Sequence, residues 1–383
     1  MYSNSFSLFL LSVAGVTLAL LAYRVQMKRA LSSMAQQLRV TIERGRSIPQ
    51  LDAFEHAAWT TSYGNCTIAW EHLSITSEIE PSPNQRLPII VARPASATTA
   101  VPVVIVMHGT SRAKSEPAIR KVMARYASKG WATLTFDSRY HGERSGKMTG
   151  DFERSGRWVD ELSKADREGR YQQSLVEAWS GSGERPFIYD SVWDLMRAID
   201  YIDSRKRDFD ISRIGSTGIS LGGMITWVGA VVDSRIKVAA PAIGVQGFRW
   251  AVENNSFMAR VNSIRPVFDH ARVALGRSAN DPTIDAEVVQ SVWDRIIPGL
   301  SDEYDAPRSL PLIAPRPLLL VQGAKDPRCP IEGVQEALAA TQDAYSAFPG
   351  SEANLELFVD ESAAHEITEK MWNRIESWFD EHL

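Results

Sequence analysis

An α/β fold, with a mostly parallel central sheet, helices on both faces and a helical cap, is what this 383-residue sequence predicts. Three observations predict it. Short, nearly unbroken apolar runs recur at 101–107, 132–136, 238–243 and 317–323, as in strands buried on both faces. Helical segments at 117–129, 190–204 and 368–382 alternate with them, the pattern of a parallel sheet with crossover helices. Two longer stretches, 147–188 and 244–314, interrupt that alternation and read as insertions over one edge of the sheet.

The elements follow in chain order. Residues 6–23 hold 18 residues without a charge, rich in Leu, Val, Ala and Phe, and predict an N-terminal hydrophobic helix at the short end of what spans a bilayer core of roughly 30 Å. Positive charge follows this stretch and none precedes it. That pattern predicts a single-span anchor with the rest of the chain on the cytoplasmic side and membrane association through residues 6–23. The competing expectation is an organellar (chloroplast or mitochondrial) targeting segment, since residues 1–42 contain no acid and many serines. The domain division expected is 1–26 hydrophobic segment, 27–54 basic helical linker, and 55–383 globular domain. Alternation over 58–70 and 71–93 predicts two antiparallel strands, broken by Pro81-Ser82-Pro83-Asn84. The core proper begins at Val101, and Gly130 stops the helix that starts at Pro117. The first insertion is charged and carries Trp158, Tyr171 and Trp179. The second is mostly helical, with Phe248, Trp250, Phe257, Phe268 and Trp293, aromatics that either line a pocket for an apolar group or pack the cap onto the core.

The most informative segment is 213–223, where a short buried strand runs into Gly218-Ile219-Ser220-Leu221-Gly222-Gly223 and then into the apolar helix beginning at Met224. A serine on a strained strand-to-helix turn tolerates only small residues two positions before and two after it, here Gly218 and Gly222. Its hydroxyl projects above the sheet, and the helix N-terminus beneath favours developing negative charge. A serine nucleophile also needs a base, an orienting acid and an oxyanion site. Asp326 lies just past the strand at 317–323, on the sheet edge where such folds place ligands. His365 lies in the loop after a strand at 355–359. Upstream, the run 101–107 ends in His108-Gly109-Thr110, where a glycine lets backbone N–H groups approach a substrate oxygen, opposite the N–H of Leu221. Singly, each has an ordinary explanation as a turn serine, an Asp-Pro turn or a solvated histidine. Together, in the order Ser…Asp…His and each at a strand end, they predict a Ser220–His365–Asp326 triad with an oxyanion hole from Leu221, Gly109 and Thr110.

From residue 87 onward the chain resembles the α/β-hydrolase superfamily. The resemblance rests on His108-Gly109, the Asp137-Ser138-Arg139-Tyr140-His141-Gly142-Glu143-Arg144-Ser145 stretch, Gly218 to Gly223, Gly323-Ala324-Lys325-Asp326-Pro327, and His365. Within the superfamily it is similar to the branch of prolyl oligopeptidase-type catalytic domains, acetyl-xylan-esterase-like proteins and dienelactone-hydrolase-like proteins, and to a group of plant and algal hydrolases. The resemblance implies a serine hydrolase. It implies structural or pocket-wall roles for His108, Asp137, Arg139 and His141, with His108 orienting the oxyanion loop and Asp137 and Arg139 bracing the loop of His141.

The overall balance is 42 basic against 46 acidic residues, net -4. Residues 1–46 hold six basic residues and one acid, leaving 36 basic and 45 acidic in the body, a sign unsuited to nucleic-acid binding. Two cysteines, Cys66 and Cys329, make no disulfide framework and no metal-ligand spacing. No metal and no cofactor are expected. The preferred expectation is a carboxylic ester hydrolase acting on a small ester through an acyl-enzyme. A prolyl-oligopeptidase-type peptidase fits less well, with no room for a propeller before residue 100 and no acidic pair to hold a peptide amine. A non-catalytic binding protein of the same fold is the third reading, opposed by the complete triad.

Overall fold

A computed structural model describes residues 3–79, 84–145, 164–278 and 280–383, with side chains from residue 22 in the first helix and from 168 in the helix that opens the third stretch. Helix α1 (Ser3–Glu43) precedes three strands, β1 (Ala53–Tyr63), β2 (Cys66–Thr76) and β3 (Arg86–Pro94). Then come β4 (Val101–Met107), α2 (Pro117–Ser128), β5 (Ala132–Phe136), α3 (Lys164–Trp179) and α4 (Tyr189–Ser204). Strand β6 (Phe209–Ile219) runs through Ser220 into α5 (Leu221–Val232), followed by β7 (Ile236–Ala242). Helices α6 (Phe248–Glu253), α7 (Arg265–Ala274) and α8 (Ala286–Ile296) fill the connection to β8 (Leu318–Gly323). The chain closes with α9 (Ile331–Ser346), β9 (Leu355–Asp360) and α10 (Glu369–His382).

The nine strands form one sheet in the order β1-β2-β3-β5-β4-β6-β7-β8-β9. Pairings from β1 to β5 are antiparallel, and those from β5 through β4, β6, β7 and β8 to β9 are parallel. The unbroken apolar runs follow from burial on both faces. Val103, Ile105 and Met107 enter one core cluster while Val104 and Val106 enter the other, the period-2 alternation of a strand. Strand β8 splits the same way, Leu318 and Leu320 against Leu319 and Val321. One face is covered by α4 and α5 through Val192, Ile199 and Trp227, the other by α2 and α10 through Met123, Ile375 and Phe379. This is the α/β-hydrolase fold.

The sheet has one more antiparallel strand than the two expected over 58–93. The chain reverses at Gly64, φ +55°, so that Tyr63 pairs with Cys66, and the expected break at Trp70 is mid-strand. The signal was Tyr63-Gly64-Asn65, a two-residue turn with glycine supplying the positive φ.

The membrane-anchor expectation is corrected. Among the described residues no helix is long and apolar enough to cross a membrane. The side chains of residues 3–21, which carry most of the apolar stretch, lie outside the described set. The described part of α1 is not a free linker. Leu38 and Ile42 are fully buried, and Leu31, Met34 and Ala35 pack against the same cluster. Just beyond it Arg44 and Arg46 reach the buried Asp190 at 2.8 and 2.7 Å. A basic segment followed by an apolar stripe reads equally well as an amphipathic helix docked on its own domain, and only the tertiary packing distinguishes the two.

Of the first insertion, residues 146–163, including Trp158, lie outside the described set. Its described part, α3, packs on the second insertion, with Trp179 edge-on to His270 at 5.4 Å between ring centroids. Phe248 and Phe268 meet Trp293 edge-on at 5.2 Å, and Phe187 stacks on it at 5.6 Å. These aromatics are core, holding the cap to the body, and none of those named lines the cleft described next.

Candidate active site

Three strand ends converge on one cleft. Ser220 sits between β6 and α5 with φ +55° and ψ -108°, a conformation costly for any residue with a Cβ. The surroundings force it. The Ser220 N–H donates to the Ala242 carbonyl at 2.9 Å, and its own carbonyl accepts from the Met224 N–H at 2.9 Å, starting the helix. The flanking glycines are required by close approach rather than by φ. A Cβ on Gly218 would lie 2.5 Å from the backbone of Gly222, and one on Gly222 would lie 2.5 Å from the Met107 carbonyl oxygen.

His365 Nε2 lies 2.8 Å from Ser220 Oγ, and its Nδ1 lies 2.7 Å from Asp326 Oδ2. With the Nδ1–H donated to the carboxylate, Nε2 is free to accept the serine proton. The other carboxylate oxygen, Oδ1, accepts from the backbone N–H groups of Arg328 at 2.8 Å and Cys329 at 3.2 Å, which fixes the plane of Asp326. The histidine loop is clamped to the end of β8. Lys325 N–H donates to the Ala363 carbonyl at 3.0 Å, and Gly323 has no space for a Cβ, which would sit 2.4 Å from the Ala364 carbonyl oxygen.

Burial is the largest influence on the His365 ring and carries its pKa below the usual 6.5; the Asp326 contact opposes it, and Arg260 and Arg328 act with it. The resting ring is therefore a neutral base at pH 7. Burial alone would raise Asp326, but its hydrogen bond to His365 and the charge interaction hold it below 3.8. The pair is in the protonation state that proton transfer from Ser220 needs.

Leu221 opens α5, so its N–H has no partner within the helix and lies at the end where the helix dipole is positive. Gly109 and Thr110 line the same cleft. His108 explains their orientation. It is fully buried, its Nε2 accepts from the Ser138 N–H at 3.1 Å, and its Nδ1–H donates to the Gly109 carbonyl at 2.8 Å. Holding that carbonyl turns the Thr110 N–H, on the opposite side of the same planar peptide, away from His108.

Asp137, Arg139 and His141 are gathered behind this loop, not in the cleft. Asp137 accepts from the Lys114 N–H at 2.9 Å, the Lys114 ammonium at 2.6 Å and the Glu143 N–H at 3.0 Å. Arg139 binds Asp194 with two nitrogens, at 2.7 and 3.1 Å, and Glu78 at 2.6 Å. His141 is buried between His108 and Tyr171, donates or accepts through Nδ1 at the Arg139 carbonyl (2.8 Å), and is pushed down to about 3 by burial. Such a ring stays neutral and is removed from Ser220, leaving His365 as the histidine at the nucleophile. Sequence reasoning missed Lys114 and Asp194, which complete this brace, and Arg328, which lines the cleft; Arg144 belonged to the 137–145 stretch but was given no role there. Of the three missed, Arg328 carried a signal, its place two residues after Asp326.

The ligand-type atoms of Asp326, Cys329 and His365 lie within 4.8 Å of one another. They do not suit a metal. Asp326 and His365 are spent on each other, and burial pushes the Cys329 thiol up to about 12, far from the thiolate a metal requires. The cleft has a volume of about 730 Å³ and a mixed lining, with Arg112, Glu116, Gln172, Asn262 and Arg328 as well as Ile119, Ile219, Ile243 and Ile367 beside Ser220 and His365.

Residues 79–248 match the acetyl xylan esterase (AXE1) family, a span that includes Ser220 and ends before Asp326 and His365. The chain is 27% identical over 181 residues to YtaP of Bacillus subtilis (strain 168), named as a hydrolase, and covers 48% of that protein. Thus the chain spans about half the length of this curated relative. The acetyl xylan esterase from Paenibacillus sp. R4 superposes with a TM-score of 0.56 at 19% identity, covering 93% of each chain. Acetyl xylan esterase 1 from Thermoanaerobacterium sp. JW/SL YS485 gives 0.60 at 14% identity, with 91% of this chain and 93% of that one covered. At these identities the likeness concerns the fold.

Proposed function

We propose that this chain is a carboxylic ester hydrolase acting through Ser220, His365 and Asp326. The observation that carries the reading is the continuous relay from Ser220 Oγ through His365 to Asp326, at 2.8 and 2.7 Å. In the first half-reaction Ser220 Oγ attacks the ester carbonyl while His365 Nε2 takes its proton. The oxyanion is met by the N–H groups of Leu221 and Thr110. Collapse expels the alcohol, protonated by the imidazolium, and leaves the acyl group on Ser220. Water then attacks the acyl-enzyme with His365 again as base, releasing the acid and restoring the serine. Asp326 holds the ring in its Nδ1–H tautomer and stabilises the imidazolium in both halves.

The match to the acetyl xylan esterase family over 79–248 supports a small acyl group on a hydroxylated alcohol such as a sugar. The test is labelling by a fluorophosphonate, which reacts with a serine activated by its base. Wild type should label, and Ser220→Ala and His365→Ala should not. Acetyl esters should then be turned over faster than matched amides. Labelling that survives Ser220→Ala would end the triad reading, and faster turnover of the amide would turn the enzyme into a peptidase.

A further inference from the structure

Arg328 lines the cleft beside His365 and Arg260 lies behind it, and among the described residues neither guanidinium has a carboxylate at ion-pair distance. Arg260, 3% exposed, sits on the short helical turn Met258–Val261. Its Nε donates to Gln246 Oε1 at 3.2 Å, and one terminal nitrogen approaches the Arg328 carbonyl and Cys329 Sγ, both at 3.1 Å. No acid lies within 4.0 Å of it among the described residues. Arg328 follows Asp326 by two residues and lines the cleft together with Ser220 and His365. Its backbone N–H serves Asp326, while its half-buried guanidinium makes no hydrogen bond or ion pair with a described residue.

A buried cation without a partner is costly, and folded proteins pair such groups or reserve them for a ligand. The other charges at the cleft do not answer these two. Glu116 is engaged by Arg112 at 3.4 Å, Glu168 has an interaction of its own, and Glu366 is exposed on the rim. Asp326 is nearest, but its oxygens serve His365 and two backbone N–H groups. Arg328 therefore stands in the same cleft as Ser220, with Arg260 behind it, and no described carboxylate pairs with either guanidinium. A planar guanidinium with free donors, backed by a second cation, is the arrangement that recognises a carboxylate.

We propose that Arg328, positioned by Arg260, binds a carboxylate on the substrate, so that the preferred ester bears a negative charge beside the scissile bond. The alcohol or the acyl part then comes from an acid-bearing molecule such as a uronic acid or a hydroxy- or dicarboxylic acid. This rests on the ester-hydrolase reading and deepens it. Arg328 acts as a specificity residue and Arg260 as a positioning residue; neither takes part in proton transfer.

The experiment compares three matched aryl esters, one neutral, one with a carboxylate on the acyl group and one with a carboxylate on the aryl alcohol. Wild type should favour one of the charged esters over the neutral one by about tenfold or more in kcat/KM, a preference that shrinks as salt rises. Arg328→Ala should abolish the preference mainly through KM, losing far more on the charged ester than on the neutral one, and Arg328→Lys should restore part of it. Equal turnover of all three by wild type, or an equal loss on all three in Arg328→Ala, overturns the proposal and leaves the esterase reading standing. If no ester is hydrolysed and no fluorophosphonate label is taken up, the esterase reading falls instead. Calorimetry on Ser220→Ala with the free carboxylic acids and their neutral amides then decides the anion site. Tighter binding of an acid than of its amide, lost in Ser220→Ala/Arg328→Ala, upholds it, and identical affinities end it.

Discussion

Two buried arginine clusters in this molecule are opposites. Behind the oxyanion loop, Arg139 and Arg144 share Asp194, at 2.7 and 2.6 Å, and Arg144 also donates to the Asn84 carbonyl at 2.9 Å. Beside His365, Arg260 and Arg328 share no acid among the described residues. The first cluster is closed, each charge answered by another part of the fold, so its free energy belongs to stability. The second is open toward the cleft, so its free energy is left for a ligand. The contrast shows how to divide charged residues between brace and binding site. The division follows from what answers each group, since the two clusters are alike in residue type and differ in burial only at the half-buried Arg328.

Breaking the centre of the comparison has the largest effect. Ser220→Ala should lower kcat by about four to six orders of magnitude while leaving the unfolding midpoint nearly unchanged or raised, because the strained serine supports no packing. Activity assays with parallel thermal melts check it, and a melt that collapses with the activity would contradict it.

The closed cluster should respond in the reverse manner. Asp194→Ala strands two buried guanidiniums and should cost about 3–5 kcal/mol in denaturant unfolding, with the protein that remains folded keeping its triad geometry. Arg328→Ala should stay within about 1 kcal/mol of wild type in the same experiment, because no partner is left behind. Acid titration sharpens the same point. Burial would raise the Asp194 carboxyl, but Arg139 and Arg144 hold it at about 2. Its stabilising share is thus full above its ordinary 3.8 and disappears as pH falls from there toward 2.

Gly222→Ala is a steric version of the break at the elbow. Its Cβ would press on the Met107 carbonyl oxygen at 2.5 Å, and a loss of about 1–3 kcal/mol with strongly reduced labelling is expected. The smallest effect is on pH. The acid limb of kcat/KM should fall with an apparent pKa below 6.5, since burial favours neutral His365. Arg328→Ala, by removing one of the cations that act with burial, should move that limb upward, and a downward shift would contradict the electrostatic account.

What the sequence by itself determined was the run of core elements whose signal is local and unbroken, while the turn at Gly64, equally local, was passed over. Runs such as 101–107 and 317–323 are buried on both faces, so their hydrophobicity alone marks them as parallel strands. Ser220, Asp326 and His365 were legible because each sits at a strand end, and the backbone demands around the serine leave glycines at fixed spacing. Tertiary structure decided whatever depends on partners distant in the chain. Lys114 answers Asp137, Asp194 answers Arg139 and Arg144, and Asp190 answers Arg44 and Arg46, pairings separated by 23 to 146 residues that no local pattern encodes. The same holds for α1, whose apolar stripe could face lipid or protein until the fold supplied the surface that buries Leu38 and Ile42. Arg328 shows the limit most sharply, because the absence of a partner is a property of the whole neighbourhood and of no single segment.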